Sequence, residues 1–205
     1  MRKLWIIALT MLMVFGALGC GSESGKDEEK AAPAASTQQA KPAEAKGKIL
    51  VAYFSVTGNT KALAETTAKA LGADLYEIRP EQPYTSQDMN YNDETTRATV
   101  EQKDDKARPA LADKNAKIAD YEIIVLAYPI WWAQAPRIMD TFVESYDFSG
   151  KRMTAICTSG GSDIGSSADY LEKITKGKAQ WKPGKLFSPQ ASADEVKSWF
   201  HGLGF

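Results

Sequence analysis

The sequence predicts an α/β fold: a three-layer sandwich on a five-stranded parallel sheet. Three near-continuous apolar runs carry that expectation. Ile49–Ser55, Tyr121–Ile130 and Arg152–Thr158 are rich in β-formers and read as strands buried on both faces. Segments with a helical period alternate with them, the mark of βαβ units. Each run also ends in a turn of small, hydroxylated or aromatic residues, at the carboxyl edge where open α/β sheets bind ligands.

The chain opens on an address rather than on the fold. Arg2 and Lys3 precede Leu4–Leu18, an apolar run of 15 residues, which is the length of a signal-peptide core and short for a spanning helix. Gly19-Cys20 follows. A cysteine so placed resembles a bacterial lipoprotein processing site, at which Cys20 becomes lipidated and forms the new N-terminus. The alternative is plain secretion, with Cys20 left as a free thiol. Residues 21–46 hold mainly Ala, Pro, Ser, Gln, Glu and Lys and no large apolar residue. Such a segment cannot bury enough surface to offset its ordering entropy, so it reads as a disordered tether. The organisation expected is therefore a leader over 1–20, a tether over 21–46 and one domain over 47–205, anchored to a membrane outside the cytoplasm.

Composition narrows the function classes. The chain has 25 basic and 26 acidic residues, and loss of Arg2 and Lys3 with the leader leaves 23 against 26. That balance argues against a nucleic-acid partner and gives little support for a strongly acidic docking face. With Cys20 lipidated, no disulfide framework remains. Cys157 lies in an apolar strand, as a buried thiol does, and Asp163 stands where a cysteine-phosphatase loop needs arginine. His201, the only histidine, falls in the last helix, which argues against a Ser-His-Asp triad or a histidine zinc site.

Ile49–Ser55 runs into Ser55-Val56-Thr57-Gly58-Asn59-Thr60, and a helix follows with Leu63, Ala64, Ala68 and Leu71 toward the core. Strand, hydroxyl-rich turn and helix aim free amides and the positive end of a helix dipole at one spot, which suits a phosphate. Lys61-Ala62 does not supply the Lys-Ser or Lys-Thr pair of a nucleotide-triphosphatase loop, and one glycine does not make a dinucleotide fingerprint. Gly72 is placed to cap the helix, and Asp74–Ile78 reads as the second strand. Arg79–Asp120 is broken by Pro80, Pro83 and Pro109; within it Asp93–Gln102 reads as a helix capped by Asn92. This stretch is taken as a surface excursion, with a ligand-covering role for Tyr84 or Tyr91 as the sharper alternative.

Tyr121–Ile130, the third strand, ends at Trp131 and Trp132, and Pro136 opens a helix with Ile138, Met139, Phe142, Val143 and Tyr146 on one face. Adjacent indoles in a loop suit stacking on a planar ring, and neighbours on a chain point opposite ways, so one is expected to pack and one to face a ligand. Arg152–Thr158, the fourth strand, enters the loop Ser159–Gly165, whose glycines let a backbone approach a flat ligand edge-on. Ser167 is placed to cap a helix bearing Leu171 and Ile174. Gln180–Phe187 is a poorer fifth strand containing Pro183, and Ser192–Glu195 is a capping box opening a helix with Val196, Trp199, Phe200 and Leu203. In the doubly wound order 2-1-3-4-5, expected here, the switch point lies between strands one and three, where the three turns meet.

Ser55–Thr60 fits the S/T-x-T-G-x-T phosphate loop at every defined position. With the YPIWW segment at Tyr128–Trp132 and CTSGGS at Cys157–Ser162, residues 47–205 resemble the flavodoxin-like family. The resemblance implies non-covalent FMN, its phosphate on Ser55, Val56, Thr57, Gly58, Asn59 and Thr60. It implies the ring beside Pro129, Trp131 and Trp132, and the ring edge at Thr158, Ser159, Gly160 and Gly161. No side chain in these loops reads as an obligatory acid or base, and no metal site is expected. The activity implied is electron transfer by bound flavin to a redox partner protein or a small-molecule acceptor. Two alternatives stand beside it: an NAD(P)H-dependent flavin or quinone reductase, and a phosphate-ligand binding lipoprotein without redox chemistry. The long insertion of some flavodoxins in the last strand, and their acidic surface, are not evident in this sequence.

Overall fold

The computed structural model describes residues 47–205, so the leader, Cys20 and the tether lie outside the described residues. Strand β1 (Ile49–Tyr53) is buried at all five positions, as a strand packed on both faces must be. Helix α1 (Asn59–Leu71) returns the chain across one face and ends at Gly72, whose φ of 63° is the left-handed turn that stops a helix. Strand β2 (Asp74–Glu77) pairs with β1, and the excursion after it contains helix α2 (Arg97–Lys103). Strand β3 (Ile123–Pro129), helix α3 (Arg137–Ser145), strand β4 (Arg152–Thr158) and helix α4 (Ser167–Ile174) follow. Two short strands, β5 (Gln180–Trp181) and β6 (Lys185–Leu186), precede helix α5 (Ala193–Gly202).

Every strand pair is parallel, and the order is β2-β1-β3-β4-β5, with β6 also on β4. The expected fold class and order are those observed. The pleat divides the core in two. Ile49, Val51, Tyr53, Ile123, Val125, Ala127 and Ile156 meet Leu63, Ala64 and Ala68 of α1 and Val196 and Phe200 of α5. Leu50, Ala52, Phe54, Ile124, Leu126 and Tyr128 pack against Ile138, Met139, Phe142 and Val143 of α3 and Leu171 of α4. Residue i and its neighbour thus serve opposite layers, as the two-residue strand period requires.

Four local expectations are corrected. The fifth strand divides into β5 and β6 because Pro183 has no amide to donate; Thr154 Oγ1 donates to the Pro183 carbonyl at 2.9 Å across the break. Helix α2 begins at Arg97 rather than Asp93, and Asn92 does not cap it. Asp93 accepts from the amide and hydroxyl of Thr95 at 2.8 and 2.7 Å, a local turn that competes with helix. Ser167 is the first residue of α4 rather than its cap: its hydroxyl donates to the Ile164 carbonyl at 2.8 Å and meets the Tyr128 hydroxyl at 3.1 Å. Pro136 stands at the cap position of α3, one residue before the helix. Ser192 does cap α5, accepting from the Glu195 amide at 3.1 Å.

Candidate ligand-binding site

The β1–α1 turn begins where the sheet lets go of the chain. The Phe54 amide still donates to the Ala127 carbonyl at 2.9 Å. Ser55 Oγ then accepts from the Gly58 amide at 3.2 Å, closing a turn in which Gly58 takes φ 90°, a value that suits glycine alone. The first intrahelical bond of α1 runs from the Ala62 amide to the Gly58 carbonyl at 3.0 Å. The amides of Asn59, Thr60 and Lys61 therefore precede the helical ladder. No side chain caps them, and no carboxylate lies in the first turn. The exposed Thr57 hydroxyl stands beside this amide cluster in the chain. Thr60 is buried instead: its hydroxyl meets that of Thr158 at 2.8 Å, joining the turn to the end of β4. One hydroxyl of that pair donates to the other, which leaves one O–H proton to be aimed elsewhere.

Beyond β3, Trp131 and Gln134 exchange main-chain bonds of 2.9 and 3.0 Å, with Trp132 and Ala133 at the tip of a four-residue turn. Their φ values are 47° and 62°. Left-handed backbone costs a residue bearing a Cβ about 1–2 kcal/mol, so this turn is strained. As expected, the two indoles part company. Trp131 is buried edge-on against Phe54 and Tyr84, at ring separations of 5.6 and 5.4 Å. Trp132 is 42% exposed and meets the half-exposed ring of Tyr91 edge-on at 4.9 Å. In the third turn Ser159 Oγ accepts from the amides of Gly161 and Ser162 at 3.1 and 2.8 Å. A Cβ on Gly160 or Gly161 would meet no atom within 4 Å.

These three turns surround one cavity of about 520 Å³ at the switch point between β1 and β3. It is lined by Ser55, Val56, Thr57, Asn59, Thr60, Pro129, Trp131, Trp132, Thr158, Ser159, Gly160 and Gly161. Gly58 is not among the lining residues; its φ of 90° shapes the turn that carries them. Met89, Ile130, Ser162 and Pro189, which are not among the expected residues, also line the cavity, together with Tyr91, expected only as the alternative to a surface role. Ile130 and Ser162 sit inside segments already singled out, and Pro189 follows β6 at the same carboxyl edge, so the edge rule alone could have found them. Met89 carried no signal.

The reading of 79–120 as a plain surface excursion is corrected by Tyr84 and Tyr91. Tyr84 backs Trp131, held by the Arg97 guanidinium 4.1 Å over its ring and by a hydrogen bond from its hydroxyl to Glu101. Tyr91 lines the cavity directly. Burial pushes the hydroxyls of both tyrosines above their ordinary range, so both remain protonated donors.

Among the described residues no lysine, arginine, histidine or carboxylate lines the cavity. An anion there would be held by amides and hydroxyls only. Cys157 is buried nearby in β4, and burial pushes its thiol up to about 12, so it is inert. Among the described residues no group of acidic, cysteine or histidine side chains could hold a metal ion, and no helix is long and apolar enough to cross a membrane.

Residues 48–203 match the family Flavodoxin_4, described as flavodoxin. A candidate flavoprotein from Bacteroides eggerthii DSM 20697 is 42% identical, with TM-score 0.73 over 78% of this chain and 99% of its own. Another, from Bacteroides uniformis ATCC 8492, is 42% identical, with TM-score 0.70 over 75% of this chain and 97% of its own. A flavoprotein from Lactobacillus acidophilus NCFM, solved in complex with FMN, shares the fold at 17% identity and TM-score 0.57, over 76% of this chain and 99% of its own. No curated protein matches the chain at a significant level. The match over nearly all of 48–205, on the parallel sheet and cavity described above, makes this chain a member of the flavodoxin family.

Proposed function

We propose that the protein binds FMN non-covalently in this cavity and transfers electrons through it. The observation that carries the reading is the meeting of an uncapped helix N-terminus, a half-exposed indole and an open glycine backbone around one space. The donor set fits the group. Amides of 59–61 and the hydroxyls of Ser55 and Thr57 would hold the phosphate dianion, and helix α1 contributes its positive end. Trp132 would stand beside the ring. Gly160 and Gly161 need glycine neither for their φ nor for neighbouring protein atoms, which is understandable if a ligand edge occupies that room. When bound, FMN supplies the one- and two-electron redox chemistry. The protein binds, orients and screens it: Pro129, Ile130 and Trp131 form an apolar floor, and the Thr60–Thr158 pair offers one hydroxyl proton.

The electron acceptor proposed is a redox partner protein or a small molecule. The place of action proposed is outside the cytoplasm, with Cys20 lipidated and 21–46 as tether, which the leader-like 1–20 supports. Cys20→Ser is then expected to move the protein from the membrane fraction to the soluble fraction; unchanged membrane association would overturn the anchor.

The deciding experiment is a titration of the purified chain with FMN, followed by flavin fluorescence and absorbance. Wild-type protein is expected to bind and quench FMN. Thr57→Ala removes a hydroxyl donor to a charged acceptor, worth about 1.5–3 kcal/mol, and should weaken binding roughly 10- to 100-fold. Trp132→Ala should mainly alter the flavin spectrum or potential. A chain that does not bind FMN, or equal and negligible effects of both substitutions, would refute the assignment. Rapid reduction by NADH or NADPH would replace the carrier reading with a reductase.

A further inference from the structure

The tryptophan turn is strained, and nothing in its own sequence explains why it stays closed. Neither tip residue is glycine, and both hold positive φ. Strain of this kind persists only where the surroundings over-determine it. The residues that do so lie in the excursion between β2 and β3.

Gln102, near the end of α2, reaches the segment after the turn at two points. Its side-chain Nε2 donates to the Ala135 carbonyl at 3.1 Å. Its main-chain carbonyl accepts from the Arg137 guanidinium, also at 3.1 Å. The second bond satisfies a carbonyl that the last turn of a helix leaves open, and it places a cation at the negative end of α2. Arg137 is itself fixed, buried between Asp105 and Asp140. The two contacts form a reciprocal clasp: residue 102 gives a hydrogen bond to 135 and takes one from 137. Upstream in the excursion, Tyr84 rests on Trp131 and Tyr91 on Trp132. The excursion thus holds the turn from both sides, on its indoles and on the backbone that leaves it.

We propose that Gln102 and Tyr91 are positioning residues for Trp132, and that the Gln102–Ala135–Arg137 clasp keeps the strained 131–134 turn in the shape that faces the cavity. Gln102 lines no part of that cavity and acts only through the turn. Loosening the clasp lets Trp132 and Ala133 leave the left-handed region, and the indole then has no single orientation. The wall of the cavity is in this way set by a helix outside it.

The first test needs no ligand. Gln102→Met keeps the volume and removes the donor. In the purified full chain, amide hydrogen exchange at Trp131 and Gln134, whose N–H groups bridge the turn, is expected to speed up about tenfold, the loss of about one hydrogen bond. Amides inside β3 and β4 should keep their protection. Tyr91→Leu, a change at a half-exposed side chain that the core does not need, should speed the same two amides. Unchanged exchange at both in these variants overturns the proposal.

The second test rests on the FMN reading and separates positioning from general loosening. Gln102→Met is expected to weaken FMN binding several-fold in the wild-type background and to have no further effect when Trp132 is already alanine. Equal losses in the two backgrounds would make Gln102 merely structural and overturn its role. If wild-type protein takes no FMN, the functional reading fails while the exchange experiment still decides the clasp.

Discussion

Arg137→Met is expected to lower the unfolding free energy at neutral pH by about 3–5 kcal/mol, the usual cost of removing one partner from a buried pair. For a domain of this size that is roughly a 10 °C fall in Tm. Arg137 is 2% exposed and Asp140 not at all, and their charges meet at 3.3 Å. Asp140 Oδ2 also faces Arg108 at 3.6 Å and the Tyr170 hydroxyl at 3.4 Å, while Oδ1 has no hydrogen-bond partner. Without Arg137 the carboxylate keeps its desolvation and loses its nearest counter-charge.

The pH dependence gives this prediction a sign. Burial pushes the Asp140 carboxyl up to about 6, against the downward pull of Arg137 and Arg108. The folded protein thus holds this proton more tightly than the unfolded chain, so stability from this group is present below about pH 4 and declines as pH rises through 6. Removing Arg137 removes part of the downward pull and raises the group further. The gap between wild type and Arg137→Met should therefore widen from pH 4 to pH 7. Glu144, held low chiefly by its hydrogen bonds from Arg108, acts in the opposite direction and in a more acidic window. Urea unfolding at several pH values measures the gap; a gap constant across that range would show that Asp140 carries the same charge throughout.

With FMN in the cavity as proposed, Gly58→Val should weaken its binding by roughly 30- to 100-fold and leave the fold intact. A Cβ at Gly58 meets no atom within 4 Å, so the substitution makes no clash. Its effect is on the backbone: a β-branched residue at φ 90° is strained by about 2–3 kcal/mol. The free protein relieves that strain by opening the turn, and the phosphate must close it again. Affinity from flavin fluorescence, with thermal unfolding as the control, reads the two effects separately. Full affinity would mean that the amides of 59–61 do not depend on this turn and are not the phosphate cradle.

Much of this architecture is readable in the residues themselves. The runs at 49–55, 121–130 and 152–158 are mostly apolar on both faces, as a parallel strand covered on both sides is. The turns after them follow from the direction that parallel strands share. Thr60 was harder, because its partner Thr158 stands 98 residues away and no local pattern links the two hydroxyls. The excursion was least legible for the same reason. Tyr84 is placed by Arg97 and Glu101, and Gln102 by Ala135 and Arg137, all through single long-range contacts that leave no period in the sequence. Asp93, a sound helix-start residue by type, spent its carboxylate on Thr95 and delayed the helix. Pro183 was visible, but the Thr154 hydrogen bond that carries the sheet past it was not.

The division of the outermost strand matters for how copies of this protein meet. A long bare flank on a sheet is a template onto which another polypeptide can add, the first step of aggregation. Here that flank is two dipeptides separated by Lys182, Pro183 and Gly184, with Lys185 opening the second. An incoming strand would find two adjacent residues, then an interruption, then two more. The break that makes β5 and β6 poor strands also shortens the template that this side of the sheet offers to another chain.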